Sequence, residues 1–209
     1  DVLVLRTGSP EATKESLLAF SKRLDGAQAL FLPGGFSNGD EPDGSGKYIT
    51  AFLRSQRAAD ALIRLLDQRD GLALGICNGF QALIKLGLLP TGSLAEPSPN
   101  SPTLTFNRIG RHQSGIVRTK IVSNRSPWLM LAETGGVYSV PVSHGEGRFL
   151  CPPDVLRELA ARGQIAAQYV DEQGNPSMDI CANPNGSDMA VEAIISPDGR
   201  ILGMMGHSE

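Results

Sequence analysis

Apolar segments alternate with amphipathic segments through the first half of the chain, and this alternation restricts the possible folds more than any other feature. The segments VLVL (2–5), AQALFLPGG (27–35) and GLALGI (71–76) are almost wholly apolar, as are strands buried on both faces. Between them, apolar residues recur at helical spacing. Strand–helix–strand order with such strands predicts an α/β fold, with a doubly wound, mostly parallel sheet and helices on both faces.

Three helices are predicted in this half of the chain. Ser9 and Pro10 suit the N-cap and the first position of a helix over 9–24, because the N–H that proline lacks has no partner there in any case. Further helices are expected near 47–68 and over 78–89, where apolar residues again follow helical spacing.

Beyond residue 90 the alternation ends. The segment 90–102 is rich in proline and serine and is expected to be a surface loop. One helix is expected near 153–162. Strands are predicted at 115–123, 137–142, 164–170, 189–195 and 200–205. No internal repeat is evident, so residues 1–209 are expected to form one domain whose second half adds antiparallel or mixed strands.

Composition excludes several functions. With 19 Lys and Arg against 22 Asp and Glu, the net charge of −3 gives no electrostatic basis for binding nucleic acid or an anionic membrane. The apolar runs are shorter than the roughly 20 residues that span a bilayer, and no signal peptide is visible. Cys77, Cys151 and Cys181 include no C-x-x-C pair, so neither a disulfide framework nor a metal site is predicted. A reducing, cytoplasmic setting is expected.

Cys77 stands where a predicted strand turns into a helix, in the segment LALGICNGFQ (72–81). The flanking Gly75 and Gly79 permit a tight turn, as in the G-x-S-x-G nucleophile elbow, with cysteine in place of serine. The helix N-terminus behind the sulfur would favour the thiolate. The alternative is a small buried cysteine that packs beneath a helix, and the pattern alone leaves both possibilities open.

A thiolate nucleophile needs a proton shuttle, and the chain has three histidines: His112, His144 and His207. Glu209 follows His207 by two residues, so a strand continuing to this point would place both side chains on one face. The carboxylate could then orient the imidazole. H-x-E by itself is a weak signal, and an exposed His207 is the alternative, with His144 as its rival.

A nucleotide-binding loop is not predicted, although the glycine-rich segment 34–46 invites the comparison. The Walker pattern needs Gly, four residues and then Gly-Lys-Ser/Thr, whereas Lys47 is followed by Tyr48 and position 41 is Glu.

The segments GICNGFQ (75–81) and GHSE (206–209) resemble the class I, or triad, glutamine amidotransferases, which pair a G-x-C-x-G-x-Q elbow with a late H-x-E. More narrowly, LPGGFSNGD, LGICNGFQALIKLGLLP, SHGEGRF and GMMGHSE together resemble the glutaminase domain of phosphoribosylformylglycinamidine synthase. The similarity keeps the same order from about residue 28 to residue 209.

The chain departs from this family in three places. The strand and helix that normally precede VLVL are missing, and the chain stops at Glu209, so it is expected to be a C-terminal fragment of a larger synthase. Gly206 stands where the family usually has proline, and SNGDEPDGSGKY (37–48) differs from the usual loop.

The resemblance implies roles for the elbow and the late motif. Cys77 would attack the side-chain carboxamide of glutamine, releasing ammonia and leaving a thioester for water to hydrolyse. His207 would carry the protons and Glu209 would orient it. The oxyanion would be bound by the backbone N–H groups of Asn78 and Gly35.

Two further residues are substrate-binding candidates. Gln81 would line the glutamine pocket, the alternative being a polar residue on the helix surface. Glu146 would contact the substrate or pair with Arg148. The remaining His112, Cys151 and Cys181 are expected to pack or face solvent.

The resemblance also implies a partner. A synthetase portion, in the same polypeptide or complex, would bind ATP and magnesium and use the ammonia to convert formylglycinamide ribonucleotide to its amidine in purine synthesis. No cofactor is expected on this chain. The alternatives are a cysteine hydrolase of the related peptidase or deglycase type, which GFQ and the late H-x-E disfavour, and a non-catalytic docking module with the same fold. The intact Cys77, His207 and Glu209 disfavour the module.

Overall fold

The computed structural model describes residues 1–6, 8–35 and 44–207. The helices are α1 (Pro10–Asp25), α2 (Lys47–Leu53), α3 (Gln56–Ile63), α4 (Asn78–Lys85), α5 (Leu88–Thr91) and α6 (Pro153–Ala161). The strands are β1 (Ala29–Leu32), β2 (Leu72–Ile76), β3 (Thr103–Phe106), β4 (Gln113–Ile121), β5 (Val137–His144), β6 (Glu146–Leu150), β7 (Ile165–Tyr169), β8 (Val191–Ile195) and β9 (Ile201–Met204). A π-helical segment, Arg64–Gln68, continues α3, and 3₁₀ turns lie at Pro127–Leu129 and Asp188–Ala190.

Seven strands form one sheet in the order β1-β2-β9-β8-β7-β4-β5. The first three are parallel to one another, and every later neighbour is antiparallel. Strands β3 and β6 form a separate antiparallel pair. The predicted α/β class is confirmed, but the expectation of a mostly parallel sheet is wrong, because parallel pairing is confined to β1, β2 and β9. Antiparallel strands can be joined by short turns, as between β8 and β9, whereas parallel strands need longer crossovers such as the one between β1 and β2.

Both faces of the central strands are covered by apolar side chains. On β9, Ile201 belongs to the larger core with Phe80 of α4, and the next residue, Leu202, belongs to a second cluster that Trp128 also contacts. Helix α4 packs directly on the sheet and contacts β1, β2 and β9. None of the helices in the described ranges is long and apolar enough to cross a membrane.

The predicted first helix is confirmed, including its cap. Ser9 has extended backbone angles, its side chain accepts a hydrogen bond from the Ala12 N–H at 3.2 Å, and Pro10 is the first helical residue. The third predicted helix is shorter than expected because Gly87, at φ +77°, takes the left-handed conformation that ends helices.

The prediction of a strand at VLVL (2–5) is wrong. Residues 1–6 have no regular structure, and Arg6 exchanges backbone hydrogen bonds with the Ser16 hydroxyl of α1. Leu3 and Leu5 pack against the core, whereas Val2 and Val4 are 86% and 75% exposed. The apolar run predicts a strand buried on both faces, but only the alternate side chains Leu3 and Leu5 are packed against the core.

The helix predicted near 47–68 is interrupted at Ser55. This residue is extended (ψ 138°), and its hydroxyl donates to the Phe52 carbonyl at 2.6 Å. A serine hydroxyl that bonds a nearby carbonyl competes with the helical ladder, which explains the break. The strands β3 and β6 were not predicted, since each is short and carries polar residues.

Candidate active site

The carboxyl ends of the three parallel strands bring the distant sequence motifs together. Strand β1 leads into Gly34 and Gly35, β2 into Cys77, and β9 into Gly206 and His207. Because β1, β2 and β9 are neighbours with the same direction, these segments meet at one edge of the sheet.

Cys77 occupies a strained turn between β2 and α4. Its backbone angles are φ +50° and ψ −105°, which residues other than glycine rarely adopt. Its N–H donates to the Met204 carbonyl at 2.8 Å, and its carbonyl accepts from the Gln81 N–H at 3.0 Å. The predicted strand–turn–helix arrangement is therefore present, and the turn places Cys77 on the cleft wall at the N-terminus of α4.

The glycines on either side of Cys77 are required by packing. A Cβ on Gly79 would lie 2.1 Å from the Leu32 carbonyl oxygen, and a Cβ on Gly75 would lie 2.6 Å from Leu83 and 2.7 Å from the Gly79 backbone. Neither position has room for a side chain, because α4 lies directly against the ends of β1 and β2.

His207 and Cys77 flank Gly34. A Cβ on Gly34 would lie 2.5 Å from His207 Cε1, 3.3 Å from His207 Nδ1 and 3.2 Å from Cys77 Cβ. The imidazole and the cysteine side chain therefore both lie against Gly34, in the segment that follows β1. The His207 backbone N–H donates to the Pro141 carbonyl of β5 at 2.9 Å. This hydrogen bond links the segment after β9 to β5, the last strand in the order of the sheet.

We expect Gly34→Ala to lower the rate of the reaction at Cys77 on the order of 10²-fold while the protein remains folded. The added methyl group cannot coexist with the present position of the His207 ring, and a displacement of about 1 Å is enough for such a loss. The measurement is kcat of the reaction that uses the Cys77 thiol. Gly115→Ala on β4 is the matched control, because a Cβ there meets nothing within 4 Å. Unchanged kcat in Gly34→Ala would contradict the expected displacement.

The cleft at this edge has a volume of about 150 Å³. It is lined by Gly35, Ser45, Cys77, Gln81, Ser143, His144, Gly145, Glu146 and His207. Among the sequence candidates, Asn78 lies beside the cleft as the buried first residue of α4. Glu209 lies outside the described residues, so its placement stays a prediction.

Gln81 and Glu146 are joined across the cleft. The Gln81 side-chain amide donates to the Glu146 carbonyl, and a Glu146 carboxylate oxygen accepts from the Ser45 N–H at 3.2 Å. Gln81 is 2% exposed, so the alternative of a surface residue is wrong. Arg148 donates to the Gly186 carbonyl instead, and within the described ranges it forms no ion pair with Glu146.

His144 is buried in the same cleft, and its hydrogen bonds assign its tautomer. The Asn107 amide nitrogen donates to two carbonyls, one of them that of His144, which leaves Asn107 Oδ1 as an acceptor 3.2 Å from His144 Nδ1. Nδ1 therefore carries the proton, and Nε2 is an acceptor with no hydrogen-bond partner among the described residues. Burial, followed by repulsion from His112, lowers the pKa of His144 to about 4. The ring is neutral at pH 7.

The remaining candidates lie where they were expected. His112 is exposed at the rim, 2.9 Å from the Ser143 hydroxyl, Cys151 is buried and Cys181 is exposed. Sequence reasoning did not assign the lining residues Ser45, Ser143 and Gly145, although the last two lie within the SHGEGRF segment. In the described part of the chain, no group of three or more His, Cys, Asp or Glu is arranged to hold a metal ion.

Comparison with known proteins identifies similar sequences and one informative structure. Residues 9–209 match the family model described as CobB/CobQ-like glutamine amidotransferase domain. The chain is 37% identical over 188 residues to phosphoribosylformylglycinamidine synthase subunit PurQ of Parasynechococcus marenigrum, covering 89% of this chain and 73% of that protein. It is 33% identical over 189 residues to the subunit of the same name from Aquifex aeolicus, covering 90% and 74%. A chain in the structure of PurLQS from Thermotoga maritima matches with a TM-score of 0.64 and 27% identity, covering 88% of this chain and 69% of that one.

Proposed function

Since the chain belongs to the CobB/CobQ-like glutamine amidotransferase domain family, we propose that it is the glutaminase part of phosphoribosylformylglycinamidine synthase. It hydrolyses glutamine to glutamate and ammonia, and the ammonia serves the ATP-dependent conversion of formylglycinamide ribonucleotide to formylglycinamidine ribonucleotide. Beyond the family match, the observation that carries the proposal is the strained turn at Cys77, with both Cys77 and His207 lying against Gly34.

In the first half-reaction, His207 accepts the thiol proton and the Cys77 sulfur attacks the carboxamide carbon of glutamine. The tetrahedral oxyanion that forms is bound by backbone N–H groups. Asn78 follows the nucleophile at the start of α4, where helical N–H groups point out of the helix end, and it provides the first donor. Gly35 lies in the cleft with φ +99°, a conformation suited to glycine, and provides the second.

The intermediate then collapses. The carbon–nitrogen bond breaks, the His207 imidazolium gives its proton to the departing nitrogen, and ammonia leaves a γ-glutamyl thioester on Cys77. A water molecule attacks the thioester while His207 takes one of its protons. When the carbon–sulfur bond breaks, that proton returns to the sulfur and glutamate is released. Glu209 orients His207 through the H-x-E spacing.

Substrate binding involves the pair that faces the nucleophile. The Glu146 carboxylate lines the cleft and is only half-buried, so it can accept from the α-ammonium group of glutamine. The Gln81 side-chain amide fixes the Glu146 backbone by donating a hydrogen bond to its carbonyl. The neutral His144, with Nε2 as an acceptor, is suited to a hydrogen bond from a substrate N–H rather than to proton transfer.

The ammonia is used elsewhere. The relatives are named as subunits of a synthase, and we infer that a synthetase portion binds ATP, magnesium and the ribonucleotide. We expect no cofactor site on this chain. Neither a peptidase or deglycase function nor a non-catalytic docking role is favoured, because the similar proteins carry the name of the synthase subunit.

The test is labelling and turnover in the presence of the synthetase partner. A glutamine analogue with an electrophilic carbon in place of the carboxamide is expected to form one adduct, at Cys77, as located by peptide mass spectrometry. Glutamate should be released from glutamine, and asparagine should be a poor substrate because its carboxamide is one methylene short. Labelling at Cys151 or Cys181 instead, or no glutamate release in an assembled complex, would refute the proposal.

A further inference from the structure

Glu192 is a buried acidic residue beside the segment that carries His207. It is the second residue of β8 and has 0% exposure. Strand β8 runs antiparallel to β9, and the Glu192 carbonyl accepts from the Met205 N–H at 3.2 Å. The side chain therefore lies level with the end of β9, where the chain leaves the strand toward the cleft.

The Glu192 carboxylate binds the backbone of Gly206. Its Oε1 accepts from the Gly206 N–H at 2.6 Å, and its Oε2 has no hydrogen-bond partner among the described residues. Within the described ranges, no lysine, arginine or histidine forms an ion pair with it. Burying a carboxylate without a cationic partner costs stability. A contribution to stability therefore does not explain why an acidic residue occupies this position.

Gly206 and His207 are held by two successive N–H groups. Gly206 donates to Glu192 on β8, and His207 donates to the Pro141 carbonyl on β5. A Cβ on Gly206 would lie 2.8 Å from Val140 and 3.0 Å from Glu192 Oε1, so the approach of the carboxylate depends on glycine here. The proline that the family resemblance leads one to expect at position 206 has no N–H and could not make this contact.

We propose that Glu192 is a positioning residue, whose hydrogen bond to the Gly206 N–H fixes His207 relative to Cys77. The inference rests on the proposed function of these two residues. A chain that leaves a strand can rotate about its free backbone bonds, and the Glu192 and Pro141 contacts together restrict the two residues that determine where the imidazole lies.

The surroundings of Glu192 make its protonation measurable. Burial raises its pKa from the ordinary 4.5 to about 7, while the Gly206 and Met205 N–H groups act in the opposite direction. Among the described residues, Tyr169 on β7 is a titratable neighbour, and burial followed by the Glu192 charge raises its pKa well above 10, so it stays neutral. Between pH 4.5 and 7 the unfolded chain loses a proton that the folded protein keeps. The folded state therefore loses stability as pH rises through this window.

Three substitutions separate the hydrogen bond from the charge, measured in the assembled synthase. Glu192→Gln retains an acceptor of the same reach and is expected to keep kcat within about threefold of wild type. Glu192→Asp retains the charge but is one methylene too short, and Glu192→Met fills the space without an acceptor. Both are expected to lower kcat by roughly 10- to 100-fold with little change in KM, because a misplaced base slows chemistry more than binding. Glu158→Gln, on the exposed face of α6, is the control and should match wild type.

The proposal and the proposed function fail in different ways. If the wild-type protein does not hydrolyse glutamine, the proposed function is refuted. The Glu192 variants, in contrast, are compared with a wild type that is active. Wild-type kcat in a folded Glu192→Asp or Glu192→Met protein would overturn the positioning role, and so would a Gln variant as impaired as Asp. If Met does not fold, Asp alone decides. Urea unfolding provides a check that does not depend on activity, since wild type should lose stability relative to Glu192→Gln as pH rises from 5 to 8.

Discussion

Replacement of Cys77 by alanine is expected to abolish glutamine-dependent amidine synthesis while leaving synthesis from ammonium salts intact. Under the proposed function, the sulfur is needed only to break the glutamine carboxamide, whereas amidine formation would use ammonia and ATP at a separate site on the synthetase partner. Because no other group at the elbow can form the thioester, we expect a loss of kcat on the order of 10⁴-fold or more with glutamine. The substitution removes one atom from a buried position and should leave the fold unchanged.

The assay compares glutamine with ammonium as the nitrogen source, in the complex with the synthetase partner. Cys151→Ala is the matched control, because Cys151 is equally buried but does not line the cleft. Equal loss with both nitrogen sources in a folded Cys77→Ala protein would contradict a two-site mechanism. No loss with glutamine would favour a docking module.

Replacement of His207 by asparagine is expected to reduce kcat with glutamine by roughly 10³-fold, the usual contribution of a positioned proton shuttle. His144→Asn in the same cleft is expected to cost about tenfold at most and to act mainly on KM. The reason is electrostatic. The pKa of His144 is lowered to about 4, so its ring has no proton on Nε2 to give to the leaving ammonia at pH 7.

The comparison of the two variants decides between the histidines. His112→Asn, at the exposed rim, is the control and should retain most of the activity. Steady-state kcat and KM, measured from pH 6 to 9, distinguish a lost proton shuttle from weakened binding. A larger loss of kcat in His144→Asn than in His207→Asn would reverse the assignment.

Local chemistry made the turn at Cys77 and the first helix predictable. A strand that ends in Gly-x-Cys-x-Gly admits few backbone paths, and the structure has the strained angles that such a turn requires. The Ser9–Pro10 pair likewise predicted the start of α1, because a cap depends on residues within one turn of it. Sequence also identified the residues that line the cleft at Gly35, Gln81 and Glu146, through their motifs.

Two predictions in the first half of the chain are wrong, the strand at VLVL (2–5) and the continuous helix near 47–68. VLVL (2–5) has the composition of a strand, but no neighbouring strand receives it, and Arg6 bonds to Ser16 instead. The break at Ser55 coincides with a hydrogen bond from its hydroxyl to the Phe52 carbonyl, which competes with the helical hydrogen bonds.

The sequence by itself determined the α/β class of the fold and the strand–turn–helix at Cys77, because each follows from residues that are close along the chain. Only the tertiary structure decided which histidine flanks Cys77, since that depends on β9 pairing beside β2 across more than a hundred residues. It also decided that His144 is neutral and that Glu192 reaches Gly206. Burial and hydrogen-bond partners set the charge and position of these groups, and both come from strands that the chain brings together only on folding.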